Sequence, residues 1–355
     1  MTAAFDRLAR HDVTLWLDGR GWAGWTSISI ERGIDTVAGG FDISFTSRVR
    51  TGDLAWAVSA GMPCQVTLGA ETVVTGYVDA VSRSIDSQNV SINLRGRDKA
   101  ADLVDCSAIN SPGMWRGQKL EAIAREIAAP FGVEIEVQTD TGKPFTRFAL
   151  QQGETAWTAI ERMARYRGVI AWSTGDGTIR IGNPDSGEVA GQIISGVNVL
   201  AAESDQDHSA RFSDYVVKGQ ASGDDNRHGR ATAQVKAETR DAGVTRYRPL
   251  LVVAEEQSDT ASLRKRAAWE AQTRAARSLQ RRVTVPGWYA GNYASGPVWR
   301  PGARAYVRIP WCAVDETLLI ERVRLARDGE GGTISELTLV PPEAWAQLAE
   351  PEPKR

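Results

Sequence analysis

Gly61-Met62-Pro63-Cys64-Gln65-Val66-Thr67-Leu68 runs through a short turn into Val73-Val74-Thr75-Gly76-Tyr77-Val78-Asp79-Ala80-Val81, then through a polar turn into Val90-Ser91-Ile92-Asn93-Leu94-Arg95-Gly96. Apolar and polar residues alternate with the period of half-buried strands, and turn residues separate the runs. The same grammar returns near the other end of the chain. Pro301-Gly302-Ala303-Arg304-Ala305-Tyr306-Val307-Arg308-Ile309 is followed by Leu318-Leu319-Ile320-Glu321-Arg322-Val323-Arg324-Leu325. The turn Asp328-Gly329-Glu330-Gly331-Gly332 then leads into Thr333-Ile334-Ser335-Glu336-Leu337-Thr338-Leu339-Val340. Each copy leaves through a short exit, Arg97-Asp98-Lys99-Ala100-Ala101-Asp102-Leu103 in the first and Pro342-Glu343-Ala344-Trp345 in the second. A chain with two copies of one β module can fill two equivalent positions in a ring. That points to an assembly part rather than a catalyst.

Outward from the first copy, residues 12–19, 26–31 and 40–46 also alternate, with Phe41, Ile43 and Phe45 on one face. Together these strands predict an antiparallel sheet able to curl into a barrel that hides its own edges. The texture changes after Cys106. Leu120, Ile123, Ala124, Ile127 and Ala128 follow helical spacing, and Pro130 and Gly132 stop that helix. Residues 133–137 read as a strand. Thr155 can cap a second helix with Trp157, Ile160, Met163 and Ala164 inward, and residues 169–172 and 178–181 form a hairpin across Gly175-Asp176-Gly177.

The third region is again mostly β, with strands expected at 214–219 and 231–236 and a polar loop at 222–230. A basic helix interrupts it over residues 258–282, with a stripe of Leu263, Ala267, Ala271, Ala275 and Leu279. The expected class is mainly β with an α+β insert: two similar antiparallel β-barrel domains, a small α/β insert and one long basic helix. The boundaries are residues 1–106 for the first barrel, 107–186 for the insert, 187–346 for the second barrel and 347–355 for a disordered tail.

Composition narrows the function. The chain has 355 residues, which suits two or three domains. Its 42 basic and 44 acidic residues leave a net charge of -2, which speaks against a whole-protein grip on nucleic acid. No apolar run approaches the roughly 20 residues that span a bilayer, so no membrane insertion is expected. The opening residues lack a signal-peptide layout, and folding in a cytoplasm is expected. Cys64, Cys106 and Cys312 are far apart and odd in number, so a disulfide framework is not expected. The 12 tryptophans are many. Trp22, Trp25, Trp115, Trp288, Trp299 and Trp311 sit near Gly or Pro, as suits barrel ends, subunit contacts or core packing.

No catalytic, metal or cofactor set stands out. His11, His208 and His228 lie in no HExxH, CxxH or GxSxG context. Asp98, Asp102 and Asp105 are read as a helix-start charge and two solvent-facing carboxylates rather than as metal ligands. The helix bearing Arg264, Arg266, Arg274 and Arg277 is a candidate partner-contact surface, for an acidic protein face or for phosphates. Gln152-Gly153-Glu154-Thr155-Ala156-Trp157 resembles the opening of a LysM repeat, a glycan-binding module, over one turn and one helix. These two features motivate the rival readings: a nucleic-acid-binding barrel, and a glycan-binding or cell-wall-degrading component.

Three runs carry a family resemblance: residues 94–108, residues 285–288 with 298–302, and Pro130-Phe131-Gly132-Val133 after its amphipathic helix. They resemble baseplate hub proteins of Mu-like contractile-tailed phages, with the same order of β, α/β and β segments over most of the chain. The resemblance implies a homotrimer whose barrels form a pseudo-sixfold ring around a channel. It implies a place in the virion baseplate, between a sixfold tail tube protein and a threefold central spike protein, beside adjacent baseplate proteins and with transient passage of DNA or tape-measure protein. On this reading Gly96, Arg97, Asp98 and Asp102 close the first barrel into the insert. Gly287, Trp288, Trp299, Pro301 and Gly302 shape the equivalent edge of the second. The channel wall is expected to lack a dense cationic lining, because each neutralised phosphate adds to a salt-sensitive grip.

Overall fold

The computed structural model describes residues 13–48, 58–86, 89–184, 188–220, 235–257, 260–291 and 296–349. The expected loop at 222–230, His11, His228 and the tail from 350 lie outside them.

The first segment holds β1 (Val13–Leu17), β2 (Arg20–Trp22), β3 (Ser27–Gly33), β4 (Gly40–Arg48), β5 (Pro63–Leu68), β6 (Glu71–Ile85) and β7 (Asn89–Asp98). Next come α1 (Ala100–Asp105), β8 (Met114–Trp115), α2 (Leu120–Ala128), β9 (Glu134–Val137), β10 (Phe148–Ala149), α3 (Ala156–Arg167), β11 (Ile170–Ser173) and β12 (Thr178–Gly182). The last part holds β13 (Val189–Ile194), β14 (Ala201–Gln206), β15 (Asp214–Gln220), β16 (Val235–Arg240), β17 (Pro249–Gln257), α4 (Thr260–Arg277), β18 (Leu279–Pro286), β19 (Arg304–Ile309), β20 (Val314–Asp328) and β21 (Gly332–Val340).

The protein is mainly β, as expected, but the two β segments do not form two separate closed barrels among the described residues. They share one 13-stranded sheet. Its main path runs β14-β18-β21-β20-β3-β4-β7-β6-β5-β1-β2, with β19 and β13 branching from β20. The joint is β3 of the first module, paired antiparallel with the second half of β20 from Arg327↔Ile28 to Arg322↔Gly33. Ile28, Ile30, Val323 and Leu325 are buried along this joint. Burial of each contributes about 1.5–3 kcal/mol, so the seam is core rather than a loose domain contact. Alternation in single strands does not reveal which long strand accepts a partner from the other module, and that is where the two-barrel expectation fails.

The repeat extends further than the three strands legible in each copy. In the first module β5, β6, β7, β4 and β3 pair in that order, all antiparallel. In the second β19, β20, β21, β18 and β14 do the same. Both long strands carry a bulge, between Val78 and Ala80 in β6 and between Ile320 and Arg322 in β20.

The middle segment has its own core around Leu120, Ile123, Ile127, Trp157, Ile160 and Met163. Thr155 caps α3 by accepting from the Thr158 amide at 3.2 Å, and Gly168 ends it at φ +64°. Residues 347–349, expected to open a disordered tail, run beside that end: a Cβ on Gly168 would press on the Ala349 backbone.

The third segment differs from its expectation in two ways. β16-β15-β17 form a separate three-stranded sheet inside it. The helix is also shorter than residues 258–282. It stops at Arg277, and Leu279, Arg281 and Arg282 belong to β18, where the ladder with β14 and β21 takes over the backbone hydrogen bonds.

Candidate functional site

In the described residues the chemistry-bearing side chains gather at the seams between segments. The first seam is a knot under Asp98. This residue ends β7 just before α1, a helix-start carboxylate as expected, and it is only 1% exposed. Its Oδ2 accepts from the Gly39 amide at 2.9 Å and from the Ser173 hydroxyl at 2.7 Å. Its Oδ1 accepts from the Ala100 amide at 2.9 Å, at the start of α1. The enclosed Arg32 guanidinium donates to the Thr174 carbonyl. The Thr75 amide donates to the Gly175 carbonyl at 2.7 Å, docking the β11–β12 turn on β6. Burial pushes the Asp98 carboxyl up, and it outweighs the Ser173, Gly39 and Ala100 donors and Arg32, which pull the other way. Burial likewise pushes Arg32 down against the pull of Asp98. Both oxygens of Asp98 are engaged by protein donors. The geometry suits a fastening between β module and α/β segment rather than proton transfer to a ligand.

The other residues expected here take different positions. A Cβ on Gly96 would overlap the Tyr77 carbonyl and the Phe41 ring, so glycine lets β6 and β7 close up. Arg97 stays at the surface and bridges Asp79 at 2.7 Å and Asp105 at 2.8 Å. Hydrogen bonds to Asp105 and Asp79 raise its pKa, and the Arg97 hydrogen bond holds the Asp105 carboxyl below its usual range. Asp102 lies half-buried in the first turn of α1. Local spacing in the sequence does not mark Arg32, Gly39 or Ser173. Gly175-Asp176-Gly177 marked a hairpin turn, but not its dock.

The second seam is built on tryptophan. Gly287 turns at φ +74°, and its carbonyl accepts from the Ser335 hydroxyl at 2.7 Å. Trp288 and Trp299 follow, 0% and 1% exposed. Trp288 Nε1 donates to the Ala326 carbonyl at 3.2 Å. Trp299 Nε1 is buried with no partner among the described residues. The Tyr289 hydroxyl donates to the Leu68 carbonyl at 3.3 Å, reaching the first module. Pro301 is buried, and the Gly302 amide donates to the Ile320 carbonyl at 2.9 Å. A Cβ on Gly302 would stand 3.3 Å from Trp172 Nε1 of β11. These residues were expected at one edge of a second barrel. Trp288 and Trp299 instead plug the core that both modules share.

The third seam is α4. Leu263 and Ala267 pack on the sheet of β15, while Ala276 packs with Trp172, Leu319 and Ala344. Small residues let one helix fasten the separate sheet to the main body. Its cations are largely engaged within the chain. Glu270, 6% exposed, takes Arg266 and Arg274, each at 2.9 Å. Arg277 donates to the Ala344 carbonyl at 2.9 Å, and Trp269 Nε1 to the Ala346 carbonyl at 2.8 Å. Arg264 is exposed.

The rival chemistries find little support. Trp157 is buried in the middle core, so its indole offers no face to a sugar. Among the described residues no three His, Cys, Asp or Glu side chains gather as metal ligands, and no helix is long and apolar enough to cross a membrane. The face of the large sheet opposite its core carries mixed charge. Arg324 meets Glu336 at 2.8 Å, Arg282 meets Glu203 at 3.1 Å, and Asn93 donates to Asp42 at 2.6 Å.

Comparison with known proteins gives consistent matches. Residues 12–98 match the N-terminal domain of the Mu phage baseplate assembly protein GpP-like family, and residues 100–183 the second domain of baseplate hub protein gp44-like proteins. Residues 211–268 match the third domain of NMB1110-like tail proteins, and residues 259–348 the fourth domain of Mu phage GpP. The baseplate hub protein gp44 of Escherichia phage Mu is 31% identical over 350 residues, 96% of this chain and 91% of that protein. The crystal structure of the 43 kDa tail protein of prophage MuSo2 from Shewanella oneidensis superposes with a TM-score of 0.82 at 32% identity, covering 95% of this chain and all of that one. The E. coli c3393 protein, a type VI secretion component described as similar to the T4 tail proteins gp27 and gp5, shares the fold with a TM-score of 0.59 at 12% identity, over 96% of this chain and 80% of that one.

Proposed function

The chain belongs to the family of the phage Mu baseplate hub protein gp44, and from that membership we propose that it works as a homotrimer whose six β modules form a pseudo-sixfold ring. It is a structural tail component of the virion. The ring would join the sixfold tail tube to the threefold central spike and leave a channel for DNA or tape-measure protein. Three chains of two modules satisfy both symmetries at once.

The observation that carries this reading is the edge-to-edge joint of two equivalent modules through β3 and β20. A module that already docks its own copy within one chain needs one more joint of the same kind to continue around a ring. The polar face of the sheet, where Arg324 and Arg282 are balanced by Glu336 and Glu203, supports a wall that lets nucleic acid slide rather than bind. Function would then reside in symmetry matching and a rigid passage, not in a reaction. The absolute mass of the purified protein by size exclusion with light scattering tests it. Three chains per particle is the expected result. A monomer across the micromolar range that also stays monomeric with spike protein present would overturn it.

A further inference from the structure

The inner joint has a counterpart in two edges left unpaired among the described residues: β14 at one end of the sheet, and the half of β6 that β5 does not cover. Register fixes the equivalence. Val78↔Gly96 and Ala80↔Arg95 flank the bulge of β6 as Ile320↔Leu339 and Arg322↔Thr338 flank that of β20. Across the next two ladders, Asn93↔Ser44 and Ser44↔Ser27 match Glu336↔Thr284 and Thr284↔Ala201. Ser27 therefore corresponds to Ala201, Ser29 to Glu203 and Glu31 to Asp205. Likewise Arg324 corresponds to Ser82 and Ala326 to Ser84.

β3 is covered by β20, but its equivalent β14 pairs with β18 alone among the described residues, and all of β14 is exposed. The second half of β20 is covered by β3, but its equivalent, β6 from Ala80 to Ile85, pairs with β7 alone among the described residues. Edges left unpaired over this length among the described residues are ready to pair with another chain, and on β6 the Arg83 side chain reaches back to the Val58 carbonyl. Exposed apolar side chains mark both: Ile85 at 73% ends β6, and Leu200 at 60% and Val197 at 77% precede β14. The polar groups also match. Arg324 Nε donates to the Ser29 hydroxyl at 3.0 Å across the inner joint. At the equivalent outer positions stand the Ser82 and Ser84 hydroxyls on β6 and, on β14, the carboxylates of Asp205 and of Glu203, which already meets Arg282 at 3.1 Å.

We infer that β14 of one copy of this chain adds antiparallel to the open edge of β6 on the next copy, with Glu203 opposite Ser84 and Asp205 opposite Ser82. The joint repeats between subunits the β20–β3 joint within each. The two edges differ, so the contact is head-to-tail and closes a ring if its rotation matches that of the inner joint. The inference rests on the trimeric hub reading and specifies its interface.

The test is a cross-link in the full chain with Cys106→Ser, which removes the exposed thiol; Cys64 and Cys312 are buried. Ser84→Cys with Glu203→Cys places directly opposed cysteines at cross-strand spacing. Oxidation should give a ladder ending at three chains that collapses on reduction. Either single variant should give no trimer band. Ser84→Cys with Asp205→Cys, two residues out of register, should cross-link about tenfold less. As a second variant, Ser84→Glu sets a carboxylate against Glu203 and should raise the concentration at which trimers dissociate by about tenfold. A trimer by light scattering that neither cross-links through Ser84→Cys with Glu203→Cys nor weakens with Ser84→Glu would overturn the strand pairing and leave the hub reading standing. A monomer in all conditions, without cross-link, would overturn both.

Discussion

Asp79 and Glu321 occupy the same bulge in two copies of one strand, and their surroundings are opposite. Asp79 is exposed and pairs with Arg97 at 2.7 Å. Glu321 turns into the structure, where Trp345 Nε1 donates to its Oε1 at 2.9 Å and Gln280 Nε2 approaches Oε2 at 3.4 Å. A bulge re-aims the side chain it carries; what that side chain meets depends on the exit from each module. The second module's exit, Pro342–Trp345, folds back over the bulge, whereas the first leads through α1 into the α/β segment.

Burial pushes the Glu321 carboxyl up, against the opposing Trp345 hydrogen bond. The folded state thus holds this proton more tightly than the unfolded chain. Its contribution is fully present below the ordinary glutamate range, near 4.5, and is lost as pH rises through the folded value. Glu321→Gln should remove that dependence. Urea midpoints from pH 4 to 8 should show the variant gaining on wild type as pH rises. Parallel curves would mean that Glu321 titrates as in the unfolded chain.

Trp288 and Trp299 lie side by side but should respond differently to the same change. Trp288→Phe leaves the buried Ala326 carbonyl without its indole donor, a loss of about 1–3 kcal/mol on top of the lost volume. Trp299→Phe removes a buried N–H that has no partner among the described residues. We expect Trp288→Phe to be the more destabilising by about 1 kcal/mol, measured by chemical unfolding. Equal losses would mean that volume alone governs this plug.

Glu270 decides how basic α4 is toward the outside. With two arginines on one buried carboxylate, Glu270→Gln should cost about 2 kcal/mol and release Arg266 and Arg274 beside Arg277. Retention on a heparin column should then rise for the variant, while wild type elutes early. Strong, salt-sensitive retention of wild type would instead revive the nucleic-acid reading of this helix.

The sequence shows what is periodic and local. The strands of both modules, the helix with Leu120, Ile123 and Ile127 inward, and the Thr155 cap could all be read from spacing. The long-range matches could not. Nothing in Ser27-Ile28-Ser29-Ile30 says that its second edge meets Arg324 rather than solvent, because alternation defines two faces and leaves both edges open. β14, Ala201–Gln206, is not legible in the sequence because an edge strand exposed on both faces carries no hydrophobic period. The charge run of the basic helix continues through Arg281 and Arg282 into β18, and charge does not mark where a ladder takes over. Gly76 sits in a regular strand pattern that gives no sign of its neighbour, yet a Cβ there would overlap the Arg97 carbonyl across the ladder. Among the expected closure residues, Asp98 reached a seam because a carboxylate before a helix start already has the Ala100 amide as a local partner, while Ser173 arrives from the far side of the α/β segment.

Asp98 supplies the last test, because it joins two segments with separate cores. Its oxygens face only donors: the Gly39 and Ala100 amides and the Ser173 hydroxyl. In Asp98→Asn one of those donors must face an NH2 group, whichever way the amide is turned. The cost should be about 1–3 kcal/mol. Ser173→Ala removes one donor from Asp98 and also the acceptor of the Gly175 amide at 3.0 Å, so the two changes share a network. Their combined effect should fall short of the sum by about 0.5–3 kcal/mol. If the knot fastens the α/β segment to the sheet, Asp98→Asn should also split or broaden the unfolding transition, with near-ultraviolet signals from Trp157 and Trp288 separating. A single sharp transition with additive losses would place the coupling elsewhere, in the packing of Trp172 against Gly302 and Leu319 that links the α/β segment to the second module.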